Sequence, residues 1–446
     1  MKLHTFKIGG VHPAENKIAA GKPIVNMPLP VEVVLPVSQH IGAPAKPVVK
    51  KGDHVKRGDR VAEAGGFVSA HVHTPISGTV VKVDIARTPQ GMPVEAIYIK
   101  SDEADREADA AAMADKSQKR SENEIAALEP KAIIDIIKEA GIVGLGGATF
   151  PTHVKLMPPP GSKAEVVIIN AAECEPCLSC DDMLMRECSR EIVKGVQMLM
   201  RAAGVARGVI AIENNKPEAI AAMTEACATA PGIEVMTMQV KYPQGGEKQL
   251  IEAVTGREVP SGGLPIATGA IVQNVATAYA VYRAVYLGEP ILDRVLTIHD
   301  GNDGRNLRVP LGTILSTLVE GMEYEKAILG GPMMGRTAST LDTPMIKGTS
   351  GILLDARYAH RREAEPCIRC GACVNACPMG LEPFLISTLS RLKQWDDAEQ
   401  EKIANCIECG SCSYICPASR PLVDYIRVGK AKVMAAMRAR AAAAKS

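Results

Sequence analysis

The sequence predicts a multidomain fold that combines β and α/β domains, because three patterns follow one another along the chain. Short β-rich runs fill the first hundred residues, helical patterns then alternate with buried-strand runs, and eight of the thirteen cysteines fall in two tight runs near the end. The chain has 446 residues. At about 150 residues per domain this length corresponds to roughly three domains.

The predicted boundaries follow changes in composition. We expect an N-terminal β domain at 1–100, a charged linker at 101–124, an α/β domain at 125–290, a small α+β module at 291–357, a helical cysteine-rich domain at 358–430 and a basic tail at 431–446.

Charge and composition exclude several classes of function. Lys and Arg number 51 and Asp and Glu number 50, so there is no overall attraction to nucleic acid. With one Trp and four Phe, an aromatic platform for stacked bases is not expected either.

The stretch 267–287 is apolar but interrupted by polar residues, which favours a buried helix over a membrane span. No apolar run follows the first lysines, so we expect a cytoplasmic protein in which cysteines bind metal rather than form disulfides.

The β domain contains a segment, 49–83, that resembles lipoyl and biotinyl carrier domains through its Gly-Asp turns and its Pro-x-Ser-Gly-Thr-Val run. Carrier domains attach their cofactor to a lysine at a hairpin tip. The corresponding residues here, 65–69, read Gly-Gly-Phe-Val-Ser and contain no lysine. We therefore predict a structural barrel-sandwich domain. We expect His71 and His73, which alternate on a strand, to lie on polar surface.

The linker 101–124 is rich in charge and Ala and has no apolar stripe, which is typical of a solvated helix. After it, helical patterns such as PKAIIDIIKEAG alternate with strand runs such as EVVIIN and GVIAIE. This alternation predicts an α/β layer domain. Residues 291–355 are mixed and rich in turns, and GGPMMG at 330–335 is interpreted as tight turns.

The cysteine-rich end repeats the pattern C-x2-C-x2-C-x3-C-P. Three closely spaced thiolates can wrap one face of a four-iron cluster, while the fourth cysteine reaches the other cluster. The pattern predicts a first [4Fe–4S] cluster on Cys367, Cys370, Cys373 and Cys416, and a second on Cys377, Cys406, Cys409 and Cys412. A pair of zinc sites is the alternative, although zinc usually joins two short Cys-x2-Cys elements. The helical segment between the runs resembles the α-helical ferredoxin modules of respiratory enzymes.

A glycine-rich run at 141–151, followed by Lys155, suggests a phosphate site because glycines let backbone N–H groups approach an anion closely. A turn that merely closes a helix is the alternative. The strand at 166–170 then runs into Ala-Ala-Glu-Cys-Glu-Pro. Polar residues at the carboxyl end of a strand are where open α/β sheets bind ligands.

The glycine-rich run and the strand end are followed by Tyr-Pro-Gln-Gly-Gly-Glu at 242–247 and by Gln-Asn-Val at 273–275. These four motifs occur in the order seen in the flavin-bearing, NADH-oxidising subunit of respiratory complex I. Over essentially its whole length, including the start GGVHPAENK, the chain resembles the C subunits of Rnf electron-transport complexes. The resemblance implies a Rossmann-like flavin domain at 125–290 and a β-grasp-like (SLBB) module at 291–357.

The resemblance also implies a set of binding residues. FMN phosphate would be held by Gly144, Gly146, Gly147 and Lys155, and its ribityl chain or ring by Asn170, Glu173 and Asn274. The nicotinamide nucleotide would be lined by Glu175, Gly245, Gly246 and Glu247, with Phe150 against adenine. This chain departs from the complex I pattern at Ala172, where an Asp is expected, and at 156–158, where Leu-Met-Pro provides no second aromatic.

A further Cys-x2-Cys-x2-Cys run, Cys174, Cys177 and Cys180, lies beside the implied flavin. A third cluster is the alternative to three small buried side chains, but no fourth cysteine follows at ferredoxin spacing.

The function implied by the resemblance is electron transfer from NADH through FMN to two [4Fe–4S] clusters. The chain would be a peripheral subunit on the cytoplasmic side of the inner membrane, with no acid–base catalytic residue. Its partners would be integral membrane and ferredoxin-like Rnf subunits, NADH and, indirectly, ferredoxin, in a complex that couples electron flow to Na⁺ or H⁺ movement. A soluble flavin reductase of a cobalamin enzyme and an electron-relay scaffold without NADH binding remain as alternatives.

Overall fold

The computed structural model describes residues 3–443 apart from 116, 359 and 361. Its strands are β1 (Ile24–Asn26), β2 (Glu32–Pro36), β3 (Lys46–Pro47), β4 (His54–Val55), β5 (Arg60–Glu63), β6 (Val72–His73), β7 (Gly78–Arg87), β8 (Pro93–Lys100), β9 (Val166–Ala171), β10 (Gly208–Glu213), β11 (Ile233–Met238), β12 (Ala270–Asn274), β13 (Asp293–His299), β14 (Gly304–Pro310), β15 (Ile328–Leu329), β16 (Arg336–Thr337) and β17 (Gly351–Leu353).

Its α-helices are α1 (Glu103–Ala114), α2 (Glu122–Ala126), α3 (Pro130–Glu139), α4 (Thr152–Lys155), α5 (Cys180–Glu187), α6 (Ser189–Ala203), α7 (Pro217–Cys227), α8 (Glu247–Thr255), α9 (Val275–Tyr282), α10 (Ala372–Asn375), α11 (Pro383–Arg391), α12 (Trp395–Gln400), α13 (Ser411–Tyr414) and α14 (Leu422–Ala443). Within the described residues, no helix is both long and apolar enough to cross a bilayer.

The N-terminal β domain is built from two antiparallel sheets, one in the order β2-β8-β7-β4 and one in the order β3-β5-β6. Apolar side chains that alternate along the strands face inward, as the pleat of a strand requires, and fill a common core with the sheet of the α+β module. The histidines at 71 and 73 are only 6% exposed, so the prediction that they lie on polar surface is wrong. Both rings are enclosed where this domain meets the rest of the chain.

The α/β domain carries a four-stranded, all-parallel sheet in the order β11-β10-β9-β12. Both faces are covered, one by α3, α6, α7 and α9 and the other by α8, which explains why the strands are nearly continuous apolar runs. The chain goes from β9 to β10 on one side and returns to β12 on the other. The strand order therefore reverses between β9 and β12.

The apolar stretch 267–287 contains a strand and a helix rather than the single buried helix expected from its composition. Gly269 has φ +77° and ends a 3-10 turn, and β12 follows it. Asn274 then caps α9 through its side chain. Polar residues inside an apolar run thus mark a change of secondary structure here.

The α+β module is a six-stranded mixed sheet in the order β1-β14-β13-β17-β15-β16. Its edge strand β1 comes from far upstream and pairs in parallel with β14. The β-grasp-like description of this module stays a prediction.

An N-terminal strap, residues 4–26, precedes the β domain and runs along three other parts of the molecule. His4 pairs with Met238 at the end of β11, and Val11 pairs with Tyr242. The N–H of Gly10 donates to the carbonyl of Ala376 in the cysteine-rich domain at 2.9 Å. The two β-domain sheets begin only at Glu32.

The linker helix α1 is mostly exposed, as its composition predicts, but one carboxylate fixes it to the β domain. Asp109 is 3% exposed, and its oxygens accept from the backbone N–H and the hydroxyl of Ser77, both at 2.6 Å. The cysteine-rich domain is helical, with α11 and α14 packed side by side around an apolar core. The predicted basic tail continues α14 as far as Ala443.

Candidate functional site

The candidate site begins where the strand order of the parallel sheet reverses, which is the place where open α/β sheets form a ligand crevice. Asn170 at the end of β9 and Asn274 at the end of β12 are direct partners in the ladder. The amide of Asn170 donates to the carbonyl of Gly245 at 2.8 Å. The amide of Asn274 donates to a carboxylate oxygen of Asp181 at 2.8 Å. The structure thus brings together two predicted residues from distant parts of the sequence.

The glycine-rich run 141–151 forms a closed loop, called the glycine loop here, at this crevice. The N–H of Gly144 donates to the carbonyl of Phe150 at 2.8 Å, and Thr149 returns a bond to Gly144 at 3.1 Å. Among the described residues, the exposed N–H groups of Gly146 and Gly147 donate to no protein acceptor. A Cβ on Gly146 would lie 3.5 Å from that of Asn274. The loop therefore presents free backbone donors beside the carboxyl edge of the sheet, which is the arrangement that binds phosphate.

Lys155 lies one turn after this loop and reaches back to the same edge. Its ammonium donates to Glu247 Oε1 at 2.7 Å and to the carbonyl of Val272 at 3.1 Å. The side chains of Lys155 and Glu247 are 26% and 40% exposed, so solvent screens the pair. Two residues predicted for different cofactors are therefore partners of each other.

The carboxylate of Glu173 caps a helix instead of pointing into the crevice. It accepts from the N–H groups of Asp181 at 2.8 Å and Asp182 at 3.2 Å, at the start of α5. Because of burial, and because Glu173 adds a second negative charge nearby, the pKa of Asp181 is raised to about 6. Glu173 thus orients the residue that holds the Asn274 amide.

Glu175 holds the turn-rich segment 330–335 against the site. Its carboxylate accepts from the N–H groups of Met333 at 3.1 Å and Met334 at 2.7 Å. A Cβ on Gly331 would come within 2.3 Å of that carboxylate, so glycine is needed there. Burial raises the pKa of Glu175 to about 7. The turns interpreted from sequence at 330–335 are therefore packed on a predicted site residue.

Lys17 of the N-terminal strap is a functional candidate that the sequence patterns did not indicate. Its ammonium donates to the carbonyls of Glu173 and Glu175, both at 2.9 Å, and of Leu178 at 2.5 Å. It therefore fixes the loop after β9 from outside the α/β domain. A lysine in a polar segment gives no signal of such partners.

Gly245 and Gly246 close the crevice opposite the glycine loop. The N–H of Gly245 donates to Cys174 Sγ at 3.3 Å. A Cβ on Gly246 would lie 2.5 Å from Gln249 Oε1 and 3.1 Å from the carbonyl of Pro243. Larger residues would collide with these groups.

The three cysteines at 174, 177 and 180 lie in separate surroundings. Cys174 contacts Gly245, Cys177 lies 3.8 Å from the Tyr358 hydroxyl, and Cys180 lies 3.5 Å from the carbonyl of Ser350. Burial raises the pKa of all three thiols. Cys177 and Cys180 are buried and Cys174 is half-buried.

The cysteine-rich domain holds a small cavity. All four cysteines predicted for the second cluster line it: Cys377, Cys406, Cys409 and Cys412. Apolar side chains form most of the remaining wall, and burial raises the pKa of Cys406 to about 11. A cysteine thiol must lose its proton before it can bind iron, so iron would have to displace the protons of these four thiols. No three His, Cys, Asp or Glu side chains in the described part of the chain converge as a single-ion site.

The two cysteine runs share one backbone geometry. Arg369 and Glu408, each one residue before the middle cysteine, have φ +56° and +57°, and Gly371 and Gly410, each one residue after it, have φ +75° and +81°. A short helix follows in each run. In the first run Cys367 and Cys370 are exposed and Cys373 is buried. The two runs therefore have the same local backbone, although they differ in how exposed their cysteines are.

The cavity of the second cysteine set adjoins the carboxyl edge of the α/β sheet. The Tyr242 hydroxyl donates to the carbonyl of Cys409 at 2.7 Å, and the tyrosine is only 2% exposed. Tyr242, Cys409, Val11 and Ala376 form one small apolar core, and Cys174 packs against it. The two candidate sites thus meet at a buried junction.

Three family models match the chain in the order of these domains. The RnfC barrel sandwich hybrid domain matches residues 4–104, the Nuo51 FMN-binding domain matches 137–283 and the 4Fe-4S dicluster domain matches 359–417.

Several full-length relatives are similar to the chain. It is 45% identical over 97% of its length to the C subunit of the proton-translocating ferredoxin:NAD(+) oxidoreductase complex of Clostridium ljungdahlii, 95% of which is covered. It is 42% identical over 98% of its length to the Na(+)-translocating counterpart of Acetobacterium woodii, 99% covered. It is 41% identical over 97% of its length to the C subunit of the ion-translocating oxidoreductase complex of Rhodobacter capsulatus, 84% covered. The chain therefore belongs to the RnfC family, the C subunits of ion-translocating oxidoreductase complexes.

Proposed function

We propose that the chain is the peripheral NADH-oxidising subunit of a membrane-bound Rnf complex. It passes electrons from NADH through FMN to two [4Fe–4S] clusters, as part of ion-coupled electron transfer between NADH and ferredoxin. The observation that carries the proposal is the buried junction at Tyr242, where the crevice of the α/β sheet meets the cavity of the second cysteine set. Two of the relatives are named as C subunits of ferredoxin:NAD(+) oxidoreductase complexes, which supports NADH and ferredoxin as the electron carriers.

The glycine loop and the paired strand ends fit FMN. The unpaired N–H groups of Gly146 and Gly147 would hold the phosphate, and Lys155 would add a countercharge by leaving Glu247. Asn170 and Asn274 would hold the ribityl chain or the ring. A bound FMN converts two-electron hydride transfer into single-electron release.

Glu173 has a positioning role in this proposal. Its carboxylate is used by the N-terminus of α5, so it acts on the flavin through Asp181 and Asn274. This differs from direct contact with the ribityl chain, which the resemblance implied.

The nicotinamide nucleotide would occupy the space between the glycine loop and the wall formed by Glu175, Gly245, Gly246 and Glu247. Gly245 and Gly246 are half-buried, so part of their backbone is open to a flat ring. Glu175, pinned by the segment 330–335, would keep water out of the nicotinamide side. Phe150, which is half-buried at the end of the glycine loop, would lie against the adenine.

The cysteine sets are arranged from the inside of the molecule outward. The second set is largely enclosed and lies next to the crevice through the Tyr242 contact. The first set includes the exposed Cys367 and Cys370, and is therefore the set accessible to a partner protein. In this proposal the exposed set faces the integral membrane and ferredoxin-like subunits, on the cytoplasmic side of the inner membrane.

The test is an anaerobic NADH titration of the full chain carrying FMN and iron–sulfur clusters, followed by visible absorption. Bleaching of the flavin band together with loss of cluster absorption is the expected result. An intact flavin that NADH does not reduce would refute NADH oxidation and indicate an electron-relay scaffold. Flavin bleaching without any change at the clusters would refute the connection through the junction.

A further inference from the structure

The hairpin tip between β5 and β6, residues 65–69, carries the exposed aromatic side chain of Phe67. Phe67 is 67% exposed, whereas the next most exposed of the four phenylalanines, Phe384, is 36% exposed. An aromatic ring of this size in water loses the free energy that burial of its apolar surface would provide. A ring held in solvent at a defined place is therefore a candidate for ligand contact.

The tip is rigid, although it is a turn. The hydroxyl of Ser69 accepts from the N–H of Gly65 at 2.9 Å and donates to the carbonyl of Ala43 at 2.8 Å. The N–H of Ala43 in turn donates to the carbonyl of Val68 at 3.0 Å. Gly42 has φ +110°, and a Cβ there would lie 1.9 Å from the same carbonyl. These contacts clamp both ends of the tip, so Phe67 projects from a fixed backbone.

The tip borders the glycine loop of the α/β domain. The N–H of Ile41, next to Gly42, donates to the carbonyl of Thr149 at 3.3 Å. The backbone of Phe67 also lies near the ring of His153, which is 3% exposed. Thr149 directly precedes Phe150, and His153 lies two residues before Lys155. Phe67 therefore stands beside the proposed phosphate loop, on a different domain.

We propose that Phe67 stacks on the adenine of the nicotinamide dinucleotide and so forms a wall of the nucleotide site from the N-terminal β domain. This inference rests on the proposed function, since it needs NADH as the substrate. Adenine presents an apolar face that stacks on aromatic rings. The segment 156–158, Leu-Met-Pro, adds no second aromatic ring to Phe150 on the α/β domain itself, and Met157 is 38% exposed.

Two substrates separate this role from a general effect on the enzyme. NADH carries adenine, and reduced nicotinamide mononucleotide carries the same nicotinamide without it. In the full chain loaded with FMN and clusters, Phe67→Ala should raise KM for NADH about tenfold with little change in kcat. The same variant should leave both constants for the mononucleotide unchanged. Phe67→Trp should restore KM for NADH, because it restores a stacking surface.

Ile85→Ala is the matched control, since Ile85 is an apolar side chain of the same domain, 58% exposed, on the other sheet. This variant should leave KM and kcat unchanged for both NADH and the mononucleotide. If Phe67→Ala raises KM equally for both substrates, or leaves KM for NADH unchanged, the proposed role of Phe67 is overturned. Reduced assembly with the membrane subunits at unchanged KM would assign Phe67 to a partner contact instead and would also overturn it. If the unchanged chain is reduced by neither substrate, the proposed function itself fails, so the two failures are distinguishable.

Discussion

The bond between the Tyr242 hydroxyl and the carbonyl of Cys409 should control how firmly the cysteine-rich domain is held on the α/β domain. Tyr242→Phe removes one oxygen and keeps the ring, so the apolar contacts with Val11 and Ala376 remain. The carbonyl of Cys409 then loses its buried donor. The 2.7 Å distance and the 2% exposure of the tyrosine place this bond among those whose loss costs about 1–2 kcal/mol.

Such a loss should appear first as local opening of the junction. The N–H groups of Gly10 and Val11 report on it, because they donate to Ala376 and to Tyr242 across the same small core. A destabilisation of about 1–2 kcal/mol corresponds to roughly 5- to 30-fold faster exchange of these amides with solvent. The assay is hydrogen exchange of the holoprotein followed by mass spectrometry, with peptides that cover residues 4–15.

The control is Tyr425→Phe, which alters an exposed tyrosine of the cysteine-rich domain that is 39% accessible. It should leave exchange at Gly10 and Val11 unchanged. The reasoning is refuted if Tyr242→Phe leaves these amides as slow as before. It is also refuted if exchange rises equally in the β domain, because the bond would then stabilise the whole chain and not the junction.

Three further perturbations have defined outcomes. Burial lowers the pKa of Lys347 from 10.5 to about 7. Between about pH 7 and pH 10.5 the unfolded chain therefore binds more protons than the folded chain, and the free energy of unfolding should rise with pH. Lys347→Met should flatten that slope in thermal melts, and an unchanged slope would contradict the assignment. Cys409→Ser and Cys370→Ser should each remove about half of the bound iron, but only Cys409→Ser should stop NADH from reducing the remaining cluster; equal effects on its reduction would contradict the inside-to-outside order. Asp293→Asn should destabilise the chain by about 2–3 kcal/mol, because the guanidinium of Arg283 keeps Glu289 but loses the charge of the second carboxylate, 2.8 Å away; a melting temperature within a degree of the parent would refute this.

The sequence predicted best where function requires a fixed spacing. The spacing of the cysteines predicted two sets of four, and one set lines a single cavity. The resemblance to the flavin-bearing subunits indicated Asn170 and Asn274, which are paired at the edge of the sheet. The ligand roles of the eight cysteines stay a prediction. The all-β, α/β and helical cysteine-rich character of the successive regions is confirmed. Binding of FMN and NADH by the individual site residues stays a prediction.

The sequence failed where contacts join distant segments. The three carbonyl partners of Lys17 lie more than 150 residues away, and nothing in its polar neighbourhood signals them. Asp109 looks like one charge among many in a solvated helix, yet it is the buried anchor of α1. His71 and His73 follow a surface pattern, but the neighbouring domain covers them. Periodicity describes one element at a time and therefore misses what covers that element.

The N-terminal strap also has a consequence for how the chain is made. Residues 4–26 are synthesised well before their partners, which are Met238, Tyr242, strand β14 and Ala376. Domains generally fold in the order of synthesis. The β domain and the parallel sheet can therefore form while the strap is still unattached, and the strap docks only after most of these partners exist. Late docking of the strap would bring Lys17 to the carbonyls of the loop after β9. Assembly of the redox centres would then wait until the cysteine-rich domain has been translated.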